Sequence, residues 1–273
     1  MNTVRMFWHG SEFSLYEILS VRSFLRHGFQ VEVFSYTPLN LPDGSVWRNA
    51  AEILPAQDVF TYRSGAGAGS VSAFSNLFRY KLLYQLGGIW ADSDLLCLRP
   101  FTGLPESFVG LQDARTCNGA IMRCPAGSEM CRWLYETARS LGKDVRWGQI
   151  GPRLITRAII ERRDKTVIPL PQWAFYPIPW QRAVDLGIPE KAAACETASA
   201  GSYGVHWWNE IFRRFAVPKS KLPPRGSFLA KHATTLFDES EVLFWPEAEF
   251  LARLGEDHDA ANLTRPSRGE AAL

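Results

Sequence analysis

Between Phe74 and Phe101 the chain reads FSNLFRYKLLYQLGGIWADSDLLCLRPF, and this order of residues leaves few folds open. Apolar residues Val71, Phe74, Phe78, Leu82 and Leu86 recur at helical spacing behind Ser70, a residue type suited to capping a helix. The spacing predicts a helix over 71–86, stopped by Gly87 and Gly88. Ile89–Ala91 then reads as a strand, with Asp92 and Asp94 at its carboxyl end, where open α/β sheets bind ligands. On a strand, side chains two apart share a face, so both carboxylates can meet one hard divalent cation carrying a diphosphate. Asn76 and Arg79 lie one turn apart and are expected to flank the same pocket. A second Asp-x-Asp, Asp257 and Asp259, lies in a polar tail and shows how easily the bare motif arises. The helix, glycine pair and strand ahead of Asp92 set the first pair apart.

The flanking sequence has the rhythm of an α/β protein. A strand over 4–8, a helix over 12–27 and a strand over 30–35 form a βαβ opening. Residues 37–49 read as loop, and 50–54 as one further short element. Gly65–Ser70 is GAGAGS; it lacks the Gly-Lys-Ser/Thr ending of a phosphate loop and reads as a flexible connection. Strands are expected near 108–111 and 119–123, and helices over 126–141 and 151–163. The proline- and aromatic-rich stretch 167–180 is expected to be an irregular cleft wall, and 255–273 a frayed polar tail.

Composition closes off several classes. A formal net charge of +2 is too near balance for a protein whose main partner is nucleic acid. Arg213, Arg214, Lys219, Lys221 and Arg225 form a short cationic stretch, read first as solvated surface and second as a peripheral contact for anionic lipid. With no run of eighteen apolar residues and a strand-like N-terminus, the chain is expected to be neither secreted nor membrane-spanning. Five cysteines, an odd number without close pairs, fit reduced cytoplasmic thiols better than disulfides or zinc. The expected location is cytoplasmic, peripheral at the inner face of the membrane at most; oligomeric state is not legible.

The central block resembles the signature of the DXD-containing sugar transferases, the group of alpha-1,4-galactosyltransferases, fungal outer-chain mannosyltransferases and bacterial capsule and lipopolysaccharide enzymes. Their pattern, roughly Ser-Asp-x-x-Arg-Tyr, an apolar stretch, Leu-x-x-Gly-Gly-Ile-Tyr and Asp-x-Asp, is matched by Ser75, Asn76, Arg79, Tyr80, Leu86, Gly87, Gly88, Ile89, Trp90, Asp92 and Asp94. Asn76 departs from it, standing where the family usually has a donor-gripping aspartate.

Weaker likenesses extend over most of the chain. The resemblance implies a GT-A-type α/β fold over 1–254, with a nucleotide-sugar half over 1–124 and an acceptor-side half over 125–254. It implies metal ligation by Asp94, with Asp92 and His206 completing the site for Mn²⁺ or Mg²⁺. Arg79 and Asn76 would hold the sugar or diphosphate. Phe7, Trp8, His9 and Tyr36 would flank the nucleotide, Asp113 and Asn118 the donor hydroxyls, and Trp208 and Asn209 the diphosphate or acceptor. A small, unanchored form of this kind is expected to be bacterial, to serve surface polysaccharide or glycoconjugate synthesis and to retain anomeric configuration. The donor is expected to be a UDP-hexose, with GDP-mannose second, and the acceptor a saccharide, a lipid-linked saccharide or a protein hydroxyl.

Two enzyme classes with related motifs fit less well. A sugar nucleotidyltransferase opens with a glycine-rich basic loop, whereas Phe7–Ser11 has one glycine and no Lys or Arg. A haloacid-dehalogenase-like phosphatase carries its Asp-x-Asp after the first strand. The non-enzymatic alternative is a carbohydrate- or nucleotide-sugar-binding protein on the same fold.

Overall fold

The computed structural model describes residues 2–65, 67–161 and 165–256; the tail from 257, with Asp257 and Asp259, lies outside them. The chain divides into two compact units. One comprises Met1–Pro177 and Gly201–His206, the other Ile178–Ala200 and Trp207–Leu273.

The first unit is built on a seven-stranded sheet. Its strands are β1 (Thr3–Phe7), β2 (Gln30–Ser35), β3 (Ser45–Asn49), β4 (Gly88–Ala91), β6 (Phe108–Leu111), β7 (Cys117–Cys124) and β8 (Ile168–Leu170), in the order β3-β2-β1-β4-β7-β6-β8. β5 (Leu95–Cys97) and β9 (Gly204–His206) form a separate antiparallel pair. β3, β2, β1 and β4 run parallel, while β7 is antiparallel to both β4 and β6. A parallel nucleotide-type half continued through one reversed strand is the GT-A-type α/β arrangement expected from the resemblance.

The helices of this unit are α1 (Leu15–Arg26), α2 (Ser72–Leu86), α3 (Glu129–Ser140) and α4 (Pro152–Thr156). α1 starts at Ser14, whose hydroxyl accepts from the Tyr16 amide while Glu17 accepts from the Ser14 amide, a reciprocal cap. α2 buries Phe74, Phe78, Leu82 and Leu83 against Phe7, Phe34 and Trp90 from the sheet. Burial of such side chains stabilises by about 1.5–3 kcal/mol each. The helix is therefore fixed mainly by its packing face.

Gly87 and Gly88 end α2 for two physical reasons. Both have positive φ, 62° and 87°, which side chains disfavour. Both also lie where no side chain fits: a Cβ at Gly87 would fall 2.4 Å from the Ala126 amide nitrogen, and one at Gly88 2.3 Å from Arg5 Nη1. Arg5 Nη1 donates to the Gly87 carbonyl at 2.7 Å, so the helix end is tied to β1 as well.

Several elements differ from expectation. β3 forms within the presumed loop 37–49; none of its residues is buried, so it lacks the apolar alternation that marks a strand, and pairing with β2 holds it. The described part of the glycine run is held in place: the Tyr62 amide donates to the Ser70 carbonyl, the Gly69 amide donates to that of Tyr62, and a Cβ at Gly67 would fall 2.0 Å from the Trp147 ring. The helix expected over 151–163 is α-helical only to Thr156, and a wider turn spans Arg157–Glu161. β8 lies inside the stretch expected to be irregular. β5 and β9, three residues each, are too short for any periodicity to mark.

The second unit carries α5 (Ala192–Ser199), α6 (Asn209–Arg214), α7 (Phe228–Ala233) and α8 (Glu247–Glu256). No described helix is long and apolar enough to cross a membrane. All five cysteines are buried and none forms a disulfide; burial pushes the Cys97 thiol up to about 12 and those of Cys117 and Cys195 up to about 11.

Gly87→Ala should cost at least about 2 kcal/mol, because it adds backbone strain to a clash with main-chain atoms that cannot rotate away. Urea denaturation measures this, and a loss below about 0.5 kcal/mol would show that the glycine pair is not required.

Candidate active site

The Asp-x-Asp pair does not lie on a strand. β4 ends at Ala91; the Asp92 amide still donates to Ala120 on β7 at 2.8 Å, and the Leu95 amide closes a turn onto the Asp92 carbonyl at 3.2 Å. The carboxylates are therefore brought together by the turn between β4 and β5, which replaces the strand periodicity expected from sequence.

Behind Asp92 stands a buried charge. Arg79 on α2 pairs through Nη2 with Asp92 Oδ1 at 2.6 Å, the two side chains being 5% and 28% exposed. Arg79 Nη1 donates to Asn76 Oδ1 at 2.8 Å, and Asn76 Nδ2 donates to the Ser72 carbonyl at 2.9 Å. The shared helix face expected for Asn76 and Arg79 is present, and these hydrogen bonds turn Asn76 toward the arginine. Trp90 Nε1 donates to the same Asp92 Oδ1 at 2.6 Å, and Arg79 Cζ lies 5.0 Å from the Trp90 ring centroid. Gly119 leaves room for the guanidinium: a Cβ there would fall 2.2 Å from Arg79 Nη1.

The third group comes from the far end of the first unit. β9 pairs antiparallel with β5 and sets His206 opposite Leu95. β5 is itself anchored to α1, for Ser20 Oγ donates to the Leu95 carbonyl at 2.7 Å and the Cys97 amide donates to Ser23 Oγ at 2.9 Å. His206 Nε2 lies 3.0 Å from Asp94 Oδ1. Its amide donates to the Phe175 carbonyl, and the Tyr176 ring meets its imidazole edge-on at 5.6 Å. Burial, reinforced by the Asp92 carboxylate, keeps the Tyr176 phenol protonated far above its usual range, and its hydroxyl donates to the Asn118 carbonyl at 3.1 Å.

One ligand atom from each of Asp92, Asp94 and His206 lies within 4.8 Å of the other two. An ion with ligands at about 2.1–2.6 Å spans up to about twice that distance across its shell. Two carboxylates and an imidazole suit Mn²⁺ or Mg²⁺ more than a soft metal. The residues present thus fit a hard divalent cation.

The other residues expected at the site have hydrogen-bond and ring partners of their own. Phe7 is core, its ring 4.4 Å from Phe78 and 5.5 Å from Phe74. Trp8 follows β1, its Nε1 donating to the Glu12 carbonyl at 2.9 Å and its ring edge-on to Phe13. His9 is exposed and meets Tyr36 edge-on at 6.5 Å; the Tyr36 hydroxyl donates to the Leu54 carbonyl.

Asp113 and Asn118 serve the β6–β7 connection. Asp113 Oδ1 accepts from the Arg115 and Thr116 amides, while Asn118 binds Gln112 and the Ala120 amide. Burial works to raise the Asp113 carboxyl, yet these amide hydrogen bonds hold it below its usual value. Trp208 and Asn209 belong to the second unit, where Trp208 takes φ 57° and its Nε1 donates to the Ile178 carbonyl at 2.9 Å.

Trp90, Gly119 and Tyr176 were not among the site residues expected from sequence. Trp90 stands two residues before Asp92, a spacing that shares a face on a strand, so its neighbourhood was legible. Tyr176 left no such signal.

Two family models match, and between them they contain the acidic turn, Arg79, Tyr176 and His206. Residues 52–110 match the glycosyltransferase sugar-binding region containing DXD motif, and residues 143–224 the alpha 1,4-glycosyltransferase conserved region. The chain belongs to the DXD-containing glycosyltransferases. Lactosylceramide 4-alpha-galactosyltransferase of Rattus norvegicus is 30% identical over 149 residues, half of this chain and 40% of the rat protein. The Mus musculus protein of the same name is 31% identical over 151 residues, and the Homo sapiens one 29% over 149. The chain spans about 40% of the length of these relatives. A solved structure, PaToxG Glycosyltransferase, is similar at a TM-score of 0.45 and 11% identity, over 86% of this chain and 85% of that one.

Gly119→Ala should push Arg79 off Asp92. Overpacking of this kind costs about 1–3 kcal/mol, and turnover should fall at least about tenfold, as when a charge-assisted contact in a reacting site is lost. Denaturant melts and donor turnover measure the two effects, and unchanged turnover would show that the guanidinium position is not critical.

Proposed function

We propose that the chain is a metal-dependent, retaining hexosyltransferase that takes its sugar from a nucleoside diphosphate and passes it to a saccharide or other hydroxyl acceptor. The observation that carries this reading is the meeting of Asp92, Asp94 and His206 in a family whose model is named for that motif and for sugar binding. A UDP-hexose is the first donor and GDP-mannose the second. Because the animal relatives are named as galactosyltransferases acting on lactosylceramide, UDP-galactose and a terminal galactoside acceptor head the order of testing. Synthesis of bacterial surface polysaccharide or glycoconjugates remains the proposed setting, with a cytoplasmic location.

Asp94 and His206 would hold the cation, with Asp92 at its edge. When bound, Mn²⁺ or Mg²⁺ supplies Lewis-acid stabilisation of the diphosphate leaving group. An imidazole binds metal through an unprotonated nitrogen, so His206 would offer Nε2, now 3.0 Å from Asp94 Oδ1, to the cation. Arg79 acts through Asp92 by fixing the carboxylate's direction with a charge-assisted hydrogen bond. Asp92 then orients donor hydroxyls by accepting from them. In the proposed front-face reaction the bond from the anomeric carbon to the phosphate oxygen breaks while the acceptor oxygen bonds to that carbon from the same side. The acceptor's proton passes to the departing phosphate, so no separate protein base is needed.

A thermal-shift screen of nucleotide sugars with and without Mn²⁺ tests the reading. One donor should stabilise the protein only when the metal is present; at a hundredfold excess over Kd the linkage is about 2.7 kcal/mol. Asp94→Ala, folded, should lose that shift. A shift that survives in Asp94→Ala, or the absence of any metal-dependent hydrolysis of a nucleotide sugar, would contradict the proposal.

A further inference from the structure

We infer that Trp90 is a positioning residue for the metal site, acting through Asp92. The inference rests on the metal-dependent reading above and adds a residue and a role to it. Trp90 is 1% exposed and sits on β4, the strand that leads into the acidic turn. Its indole does two things at once. Its N–H donates to Asp92 Oδ1 at 2.6 Å, and its ring lies 5.0 Å from the Arg79 guanidinium, which donates to that same oxygen at 2.6 Å.

Two donors on one carboxylate oxygen stop the carboxylate from rotating about its last torsion, which is otherwise broad. Oδ1 is thereby committed to the protein, and the other oxygen is the one presented to a cation or a donor hydroxyl. A carboxylate with both oxygens loose has more arrangements to give up before it can bind an ion. Hydrogen-bond partners of this kind, one step removed from the ion, typically alter metal affinity or activity by 10–100-fold. Arg79 alone cannot supply the restraint, since one donor still permits the carboxylate to pivot about that contact.

The ring also supports Arg79 from beneath. Arg79 is 4% exposed, and its Nε is buried without a hydrogen-bond partner. Arg79 donates to Asn76, a neutral amide, and to Asp92. The face of Trp90 adds the negative side of its quadrupole to the support of that buried guanidinium.

The test replaces Trp90 with β-(3-benzothienyl)alanine, which keeps the fused-ring shape and puts sulfur in place of N–H. Trp90→Phe serves as a second variant. Mn²⁺ binding to the protein without nucleotide, read by electron paramagnetic resonance of the free ion, should weaken about tenfold in the isosteric variant. Its melting temperature should stay within a few degrees of the native protein. Donor turnover at saturating Mn²⁺ should also fall, while affinity for UDP with Mn²⁺ saturating stays within about twofold. Native protein that binds Mn²⁺ with a variant that binds it equally well would overturn the role of Trp90 alone. Native protein that binds no Mn²⁺ would overturn the metal reading and this inference with it. A Phe variant that loses affinity beside an isostere that does not would assign the effect to packing and overturn the N–H role.

Discussion

A positive charge buried beneath a turn governs the architecture of the first unit. Arg79 projects from the middle of α2 into the space between that helix, β4 and β7, where an unpaired guanidinium would be costly. Breaking such a pair by removing one partner typically costs about 3–5 kcal/mol. The requirement propagates outward: Asn76 accepts from one Nη, Asp92 from the other, Trp90 lies against the guanidinium, and a side chain at residue 119 would displace it. Asp92 is thus fixed from within. The same contacts that satisfy the arginine leave a carboxylate at the sheet's carboxyl edge with one oxygen tied down.

The second requirement is that a group distant in sequence reach the acidic turn. His206 comes more than a hundred residues after Asp94, yet the β5–β9 pair sets it within hydrogen-bond distance. β5 follows the turn directly, so the ladder that pairs it with β9 also fixes where Asp94 and His206 stand relative to each other. Ser20 and Ser23 of α1 satisfy main-chain groups of β5, and Tyr176 packs against the imidazole. Three distant segments are needed to place one histidine. This is the kind of rigid support that metal sites require if their ligands are to be held before the ion arrives.

The sequence made the first requirement legible and most of the second illegible, for identifiable reasons. The helical spacing of Val71–Leu86, the glycine pair and the acidic doublet are local signals, and α2, its stop and β4 follow them closely. The i, i+3 spacing of Asn76 and Arg79 foretold their contact. What failed was the geometry of the doublet, because a turn and a strand end can carry the same residues. β3 escaped because an exposed edge strand has no apolar alternation, and the packing of Gly67 because its neighbour, Trp147, comes about eighty residues later. Phe7 illustrates the same limit from the other side, since a residue next to a site and a residue in the core look alike when both are aromatic.

The central claim is that the acidic turn and His206 together hold a hard divalent cation. Anomalous diffraction at the manganese edge, from crystals grown with Mn²⁺ and UDP, tests it most directly. The account predicts one strong peak within about 2.1–2.6 Å of Asp94 and His206 ligand atoms and beside Asp92. A peak elsewhere, or the His206–Asp94 hydrogen bond intact with no ion beside it, would contradict the account.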